Sequence, residues 1–196
     1  MSSTGRGSER RQDDAYMTPG WAVRRLLDEW TPPSGVLVEP ACGDGAIIRQ
    51  IRGSQYHWIS YDIREVQPVA EVHRQCNYLT VATLGPTVKA VITNPPYCLA
   101  EEFIRKSRSL YPAAQLVFLL RIAFLASETR QRFRRDMGIP DLYVLPNRPD
   151  FSGGGGDSAD YAWFVWPACS PHAFGSLRVL ALTPLEERRA DKPRKP

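Results

Sequence analysis

An asparagine, two prolines and a tyrosine follow one another at Asn94, Pro95, Pro96 and Tyr97, directly after the β-branched run Val91-Ile92-Thr93. Each proline fixes its own φ and turns the residue before it away from helix. The chain therefore leaves a buried strand as a stiff, extended hook. In such a hook the Asn94 amide and the Pro95 carbonyl can converge on one small volume, with the Tyr97 ring just beyond. Hydrogen-bond acceptors beside a stacking surface suit an exocyclic amino group on a flat heterocycle. The plain alternative is a Pro-rich turn capped by an aromatic, and the surrounding chain has to decide.

A second group of candidates lies upstream. The run from Gly35 to Glu39 reads as a strand, followed by a turn carrying Gly43 and Gly45 and then a helix. Glycine in such a turn lets a ligand approach the backbone closely. The spacing lacks the third glycine of the dinucleotide fingerprint, and no Gly-Lys-Ser/Thr follows, so neither of those phosphate-binding loops is present. A carboxylate at the strand end, Glu39, repels a pyrophosphate but suits a cationic amino group; the competing reading is an ordinary turn with a solvated Glu. A second strand, Trp58 to Tyr61, ends at Asp62, about 20 residues past the glycine turn, where open α/β sheets hold a ribose diol.

The elements that must position these groups can be read in order. Residues 1–14 are Ser-, Gly- and charge-rich and are expected to be disordered. Order begins near Tyr16-Met17-Thr18-Pro19, with Thr18 capping a helix that accepts Pro19 in its first turn and runs through Trp30. Strands are expected at the third strand end before Asn77-Tyr78, at 89–93, 115–120, 141–145 and 161–166, with a possible edge strand over 176–182. Helices are expected over 100–110 and 127–137. Strands alternating with helices imply a doubly wound α/β domain over 15–183, with a mostly parallel, seven-stranded sheet, an antiparallel C-terminal strand and helices on both faces. Residues 184–196, charged and Pro-rich, read as a disordered tail.

Composition sets wider bounds. A hydrophobic content of 43% and a charged content of 23% are those of an ordinary soluble globule. The four cysteines and three histidines are scattered, which speaks against a structural metal or disulfide framework and for a reducing cytoplasm. There is no apolar run of membrane-spanning length and no signal peptide pattern. The net charge of +4 permits a polyanionic partner without requiring one. Arg130 and Arg134, one helical turn apart, either track a phosphate backbone or form a solvated face. The glycine run 153–156 is either a hairpin loop or a mobile lid beside the site. The aromatic strand Tyr161, Trp163, Phe164 offers rings that could close over a bound base.

Together these residues resemble the class I S-adenosylmethionine-dependent methyltransferases, specifically the DNA adenine-N6 (amino) group in its small, phage-like form. The resemblance runs from Tyr16 to Trp166. It implies S-adenosyl-L-methionine as cofactor, held by Tyr16, Thr18, Pro19, Glu39, Pro40, Ala41, Gly43, Gly45, Asp62, Asn77 and Tyr78. Asn94, Pro95, Pro96 and Tyr97 are then catalytic. The substrate is DNA, touched by Tyr97, Asn77, Tyr161, Trp163, Phe164, Arg130 and Arg134, and no metal is needed. The location implied is the cytoplasm of a prokaryote or of a virus-infected host.

Two departures stand out. The family often carries an Asp near the third strand end where this chain has Asn77. The 30 residues after Trp166 are too few for a target-recognition domain, so sequence reading would fall to short loops, a second copy in a homodimer or a recognition partner. The hook alone is shared with methyltransferases of RNA and of protein amides, and these remain rivals. So do a catalytically idle DNA- or cofactor-binding module and a nucleotide-dependent oxidoreductase.

Overall fold

The computed structural model describes residues 17–82, 87–126, 128–151, 158–168 and 175–191. Tyr16, the expected N-terminal disorder and the glycine run 153–156 lie outside them. The helices are α1 (Gly20–Leu27), α2 (Ala46–Gln50), α3 (Ala100–Leu110), α4 (Gln131–Met137) and α5 (Leu185–Ala190). The strands are β1 (Gly35–Glu39), β2 (Tyr56–Asp62), β3 (Val72–Gln75), β4 (Val88–Thr93), β5 (Gln115–Arg121), β6 (Asp141–Leu145), β7 (Tyr161–Trp166) and β8 (Leu177–Val179).

The strands form one sheet in the order β3-β2-β1-β4-β5-β7-β6-β8. β7 lies between β5 and β6 and runs antiparallel to both, while the other pairings are parallel. The mixed α/β architecture therefore matches the reading from sequence. Eight strands are present rather than seven, because the edge strand expected over 176–182 forms as the short β8 on the rim of β6, leaving Leu177 and Val179 exposed.

Both faces of the central strands are covered. In β7, Tyr161, Trp163 and Val165 enter one apolar layer with Trp21, Ala22, Val23 and Leu26 of α1. Ala162, Phe164 and Trp166 enter the other, with Phe103 and Ile104 of α3 and Phe133 of α4. The period-2 alternation of a strand explains the division. Helices on both sides explain why neither set of side chains reaches water.

Three sequence expectations need correction. Thr18 does not cap α1: Pro19 occupies the N-cap position, without a side-chain cap bond, and the helix stops at Leu27. Trp30 lies beyond it, buried, and its indole N–H donates to Gln115 Oε1 at 3.2 Å. The helix expected from residue 127 begins only at Gln131, after a 3₁₀ turn over Glu128–Arg130. Residues 184–191, expected as part of a disordered tail, include α5, which docks through charge rather than apolar contact. Glu187 accepts from Arg24 Nε at 2.9 Å and from Arg25 Nη2 at 2.7 Å, and Asp191 from Arg24 Nη2 at 2.6 Å. A periodicity search for apolar residues is blind to such a helix.

Trp163 is fully buried and its indole N–H donates to the Ala22 carbonyl at 2.9 Å, joining the sheet to α1. Trp163→Ala should cost about 3–5 kcal/mol of stability through the cavity it leaves, read as a lower urea midpoint at unchanged m-value.

Candidate active site

The order of strands reverses between β1 and β4, where doubly wound sheets bind ligands at the carboxyl ends. Glu39 ends β1, and Asn94 follows the last residue of β4. These strands are neighbours, paired at Val38 and Val91, and so lie about 4.8 Å apart. The register brings the two candidate chemistries to one edge of the sheet.

Glu39 is 2% exposed, and its Oε2 has no hydrogen-bond partner. Burial, followed by the nearby carboxylates of Asp44 and Asp62, raises its pKa well above the ordinary glutamate range. An unsatisfied buried acceptor of this kind fits a cationic amino group, such as that at the methionine end of S-adenosylmethionine.

The glycine turn beside it is fixed from two directions. Gly43 and Gly45 have φ of 52° and 77°, the left-handed region, and the Gly43 N–H donates to Asp62 Oδ2 at 2.8 Å. A Cβ at Gly45 would lie 2.6 Å from Val69 Cγ2, and one at Gly43 would lie 3.6 Å from Met17 Sδ. Met17, next to Thr18-Pro19, therefore lies against the turn. Pro40 is buried and Ala41 half-buried within the same loop.

Asp62 does more than wait for a ribose. Besides Gly43 it accepts from the Arg64 backbone N–H at 2.9 Å, Arg64 Nε at 3.0 Å and Arg64 Nη2 at 3.2 Å. Burial alone would raise its pKa, but the bonds from Arg64 and Gly43 outweigh it and hold the carboxyl below its usual range. A diol arriving here must displace the Arg64 side chain. Cys42 in the turn is pushed up to about 12, by burial and then by Glu39 and Asp62.

The chain leaves β4 without regular secondary structure. Asn94 is 7% exposed, Pro95 is buried, and Pro96 is extended at ψ 121° before a 3₁₀ turn over Tyr97–Leu99 leads into α3. The half-buried Tyr97 ring lies 5.6 Å from Tyr161 and 6.2 Å from Phe151, with the Arg121 guanidinium 5.2 Å over it. Phe151 and Tyr161 meet edge to face at 5.1 Å, and Arg121 Nε donates to the Tyr161 hydroxyl at 3.0 Å.

Sequence reasoning missed Phe151 and Arg121. Their signals were modest: an aromatic where a Pro-rich turn meets the glycine run, and a cation closing an otherwise apolar strand.

Other expected site residues lie elsewhere. Trp163 and Phe164 are core side chains on opposite faces of the sheet, and of the β7 aromatics named for the base only Tyr161 stands in the Tyr97 cluster. Tyr78 is 1% exposed, packed between Tyr61 and Phe103, with its hydroxyl 3.0 Å from Ser107 Oγ. Asn77 is exposed, and its Oδ1 caps a 3₁₀ turn by accepting from the Leu79 N–H. Arg130 stacks 4.2 Å over Phe124 and donates to its carbonyl, and Arg134 donates to the Leu125 carbonyl. These arginines hold the 122–126 turn against α4.

Glu39 predicts a pH dependence. From about pH 5 upward the folded protein holds a proton that the unfolded chain has released, so stability falls as pH rises. Asp62 acts oppositely, adding stability that is lost on acidification through its lowered pKa. Glu39→Gln should flatten the decline of the melting temperature toward neutral pH; an unchanged slope would place the titration elsewhere.

No protein-family model matches the sequence, and no curated protein matches it. Solved structures match it in fold. One is the type I restriction-modification methyltransferase subunit from Streptococcus thermophilus, with a TM-score of 0.61 at 11% identity, covering 90% of this chain and 52% of that one. Another is the 23S rRNA methyltransferase ErmE, with a TM-score of 0.57 at 13% identity, covering 82% of this chain and 72% of that one. A third is a dimethyladenosine transferase from Plasmodium falciparum, with a TM-score of 0.53 at 13% identity, covering 76% and 62%. The chain spans about half the length of the first and less than two thirds of the third. At these identities the likeness shows one thing: the chain has a Rossmann-like fold shared with methyltransferases.

Proposed function

We propose that this protein is an S-adenosylmethionine-dependent methyltransferase acting on the N6 amino group of adenine in DNA. The observation that carries the reading is a juxtaposition at the ends of adjacent parallel strands. A buried carboxylate with an unsatisfied oxygen, Glu39, ends one strand. A buried carboxamide, Asn94, leads from the other into a Pro-Pro corner and an aromatic cluster.

Glu39 and the Met17-Thr18-Pro19 segment would hold the methionine end of the cofactor, and the Gly43–Gly45 turn its backbone side. Asp62, once Arg64 yields, would take the ribose. When bound, S-adenosylmethionine supplies an electrophilic methyl group on a sulfonium.

The chain's own residues do the rest. Adenine N6 is a weak nucleophile because its lone pair is delocalised into the ring. Acceptance of its two hydrogens by Asn94 Oδ1 and the Pro95 carbonyl favours a pyramidal nitrogen whose lone pair is directed out of the ring plane. This is catalysis by position and by fixed dipoles, without a general base. Tyr97 supplies the stacking face. Base–aromatic stacking is worth about 1–3 kcal/mol, against about 0.5–1 kcal/mol for an exposed cation–π contact. An arriving base therefore competes with Arg121 for the ring, against both the cation–π contact and the hydrogen bond from Arg121 to Tyr161. Removing the base from its duplex costs a few kcal/mol, which stacking partly offsets.

RNA is the acceptor favoured by the likeness to ErmE. Tritiated methyl transfer to DNA and RNA in parallel separates the two; label in RNA alone overturns the DNA reading. Asn94→Ala should reduce transfer by at least about a hundredfold, the loss typical of one preorganised polar group, while S-adenosylhomocysteine affinity by calorimetry stays near wild type. Full activity in that variant rules out the hook. Tyr97→Phe should keep most activity and Tyr97→Ala should lose it; equal rates would mean that the ring is not a stacking surface.

A further inference from the structure

A cleft of about 540 Å³ opens between the start of α1, the segment following β6, and α5. Arg148, Arg188 and Arg189 line it, with Pro19, Asp150 and Asp191 among the other lining residues. Its position follows from the strand register. Leu145 at the end of β6 pairs with Tyr161, which pairs with Arg121 at the end of β5. β5 runs parallel to β4, so the segment after β6 leaves the sheet at the same edge as Asn94. One end of the cleft adjoins the aromatic cluster, because Asp150 precedes Phe151, whose ring packs against Tyr97. The other end is closed by α5.

The docking of α5 sorts its charges. Glu187 and Asp191, one turn apart, bind the arginines of α1, which leaves Arg188 and Arg189 to line the cleft. Asp191 is thereby neutralised by Arg24 at 2.6 Å. Among the described residues Arg148 is paired with Asp160, an exposed contact at 2.8 Å. Such a surface pair is worth about 0–1 kcal/mol and is readily exchanged for a phosphate. Arg188 is anchored through Nε to the Thr183 carbonyl at 3.1 Å. Guanidinium groups recognise phosphate oxygens in a bidentate fashion, and a space of this size suits a chain of phosphates better than a single ion.

We propose that this cleft is the track for the phosphodiester backbone of the DNA strand carrying the target base, gripped by Arg148, Arg188 and Arg189. The inference rests on the reading of Asn94–Tyr97 as an adenine amino-group site. It gives that site substrate contacts beyond Arg130, in the 3₁₀ turn before α4, and Arg134 of α4.

The test uses the full chain with S-adenosylhomocysteine and a fluorescent single-stranded adenine-containing oligonucleotide, with anisotropy measured across a salt series. Arg148→Gln/Arg189→Gln should weaken binding roughly tenfold and make the slope of log K against log salt shallower by about 1.4, the loss of two phosphate contacts on a single strand. Arg132→Gln/Arg135→Gln, exposed on α4, is the control and should leave the slope unchanged. Both variants should keep wild-type affinity for S-adenosylhomocysteine. Equal slopes in the cleft variant and wild type, in a protein that binds and methylates DNA, overturn the track alone. A wild-type chain that binds S-adenosylhomocysteine but neither binds nor methylates DNA overturns the track together with the DNA reading.

Discussion

One electrostatic constraint governs the candidate site: the Glu39 carboxyl group is kept from water at the end of β1 with an oxygen left unsatisfied. An unpaired buried polar atom costs about 1–3 kcal/mol. Asp44 and Asp62 push in the same direction as burial, and the Arg49 guanidinium and a hydrogen bond from the Ile48 backbone offset them only in part. The fold tolerates the cost because Leu37 and Val38 before it, and Ala90 to Ile92 on the neighbouring strand, are fully buried in two apolar layers. The strand end is thus held in place by packing that does not involve the carboxyl group.

The hook is positioned by an independent device. Its stiffness comes from two consecutive fixed φ angles, and its location from the parallel pairing of β1 with β4. Carboxylate and carboxamide stand together through the sheet's register rather than through a bond to each other. The glycine turn is likewise set in advance, because Asp62 fills its acceptor positions with Gly43 and Arg64.

What could be read from sequence follows the range of the interactions involved. The hook, the glycine turn and α3 depend on neighbours within a few residues, and prolines, glycines and apolar spacing reveal them. The alternation of Trp163 and Phe164 shows that they oppose one another across a strand. It does not show that α1 and α3 cover both faces, so two core side chains resembled ligands for a base. Tyr78 misled for the same reason, its partner Ser107 lying on a distant helix. Arg130 and Arg134 displayed charge without displaying the turn carbonyls that absorb it. Phe151 and Arg121 reach Tyr97 only through the register of β5, β6 and β7, a non-local fact. The docking of α5 depended on charges presented by α1.

The far rim of the sheet has a consequence for colloidal behaviour. β8 is three residues long, with Arg178 set between the exposed Leu177 and Val179 and lying 5.5 Å over the Tyr143 ring. An open border bearing aliphatic side chains invites fibrillar stacking of copies, and brevity together with a mid-strand cation are the usual deterrents. Here both occur in one tripeptide, so the molecule can end its sheet in solvent without becoming a template for its neighbours.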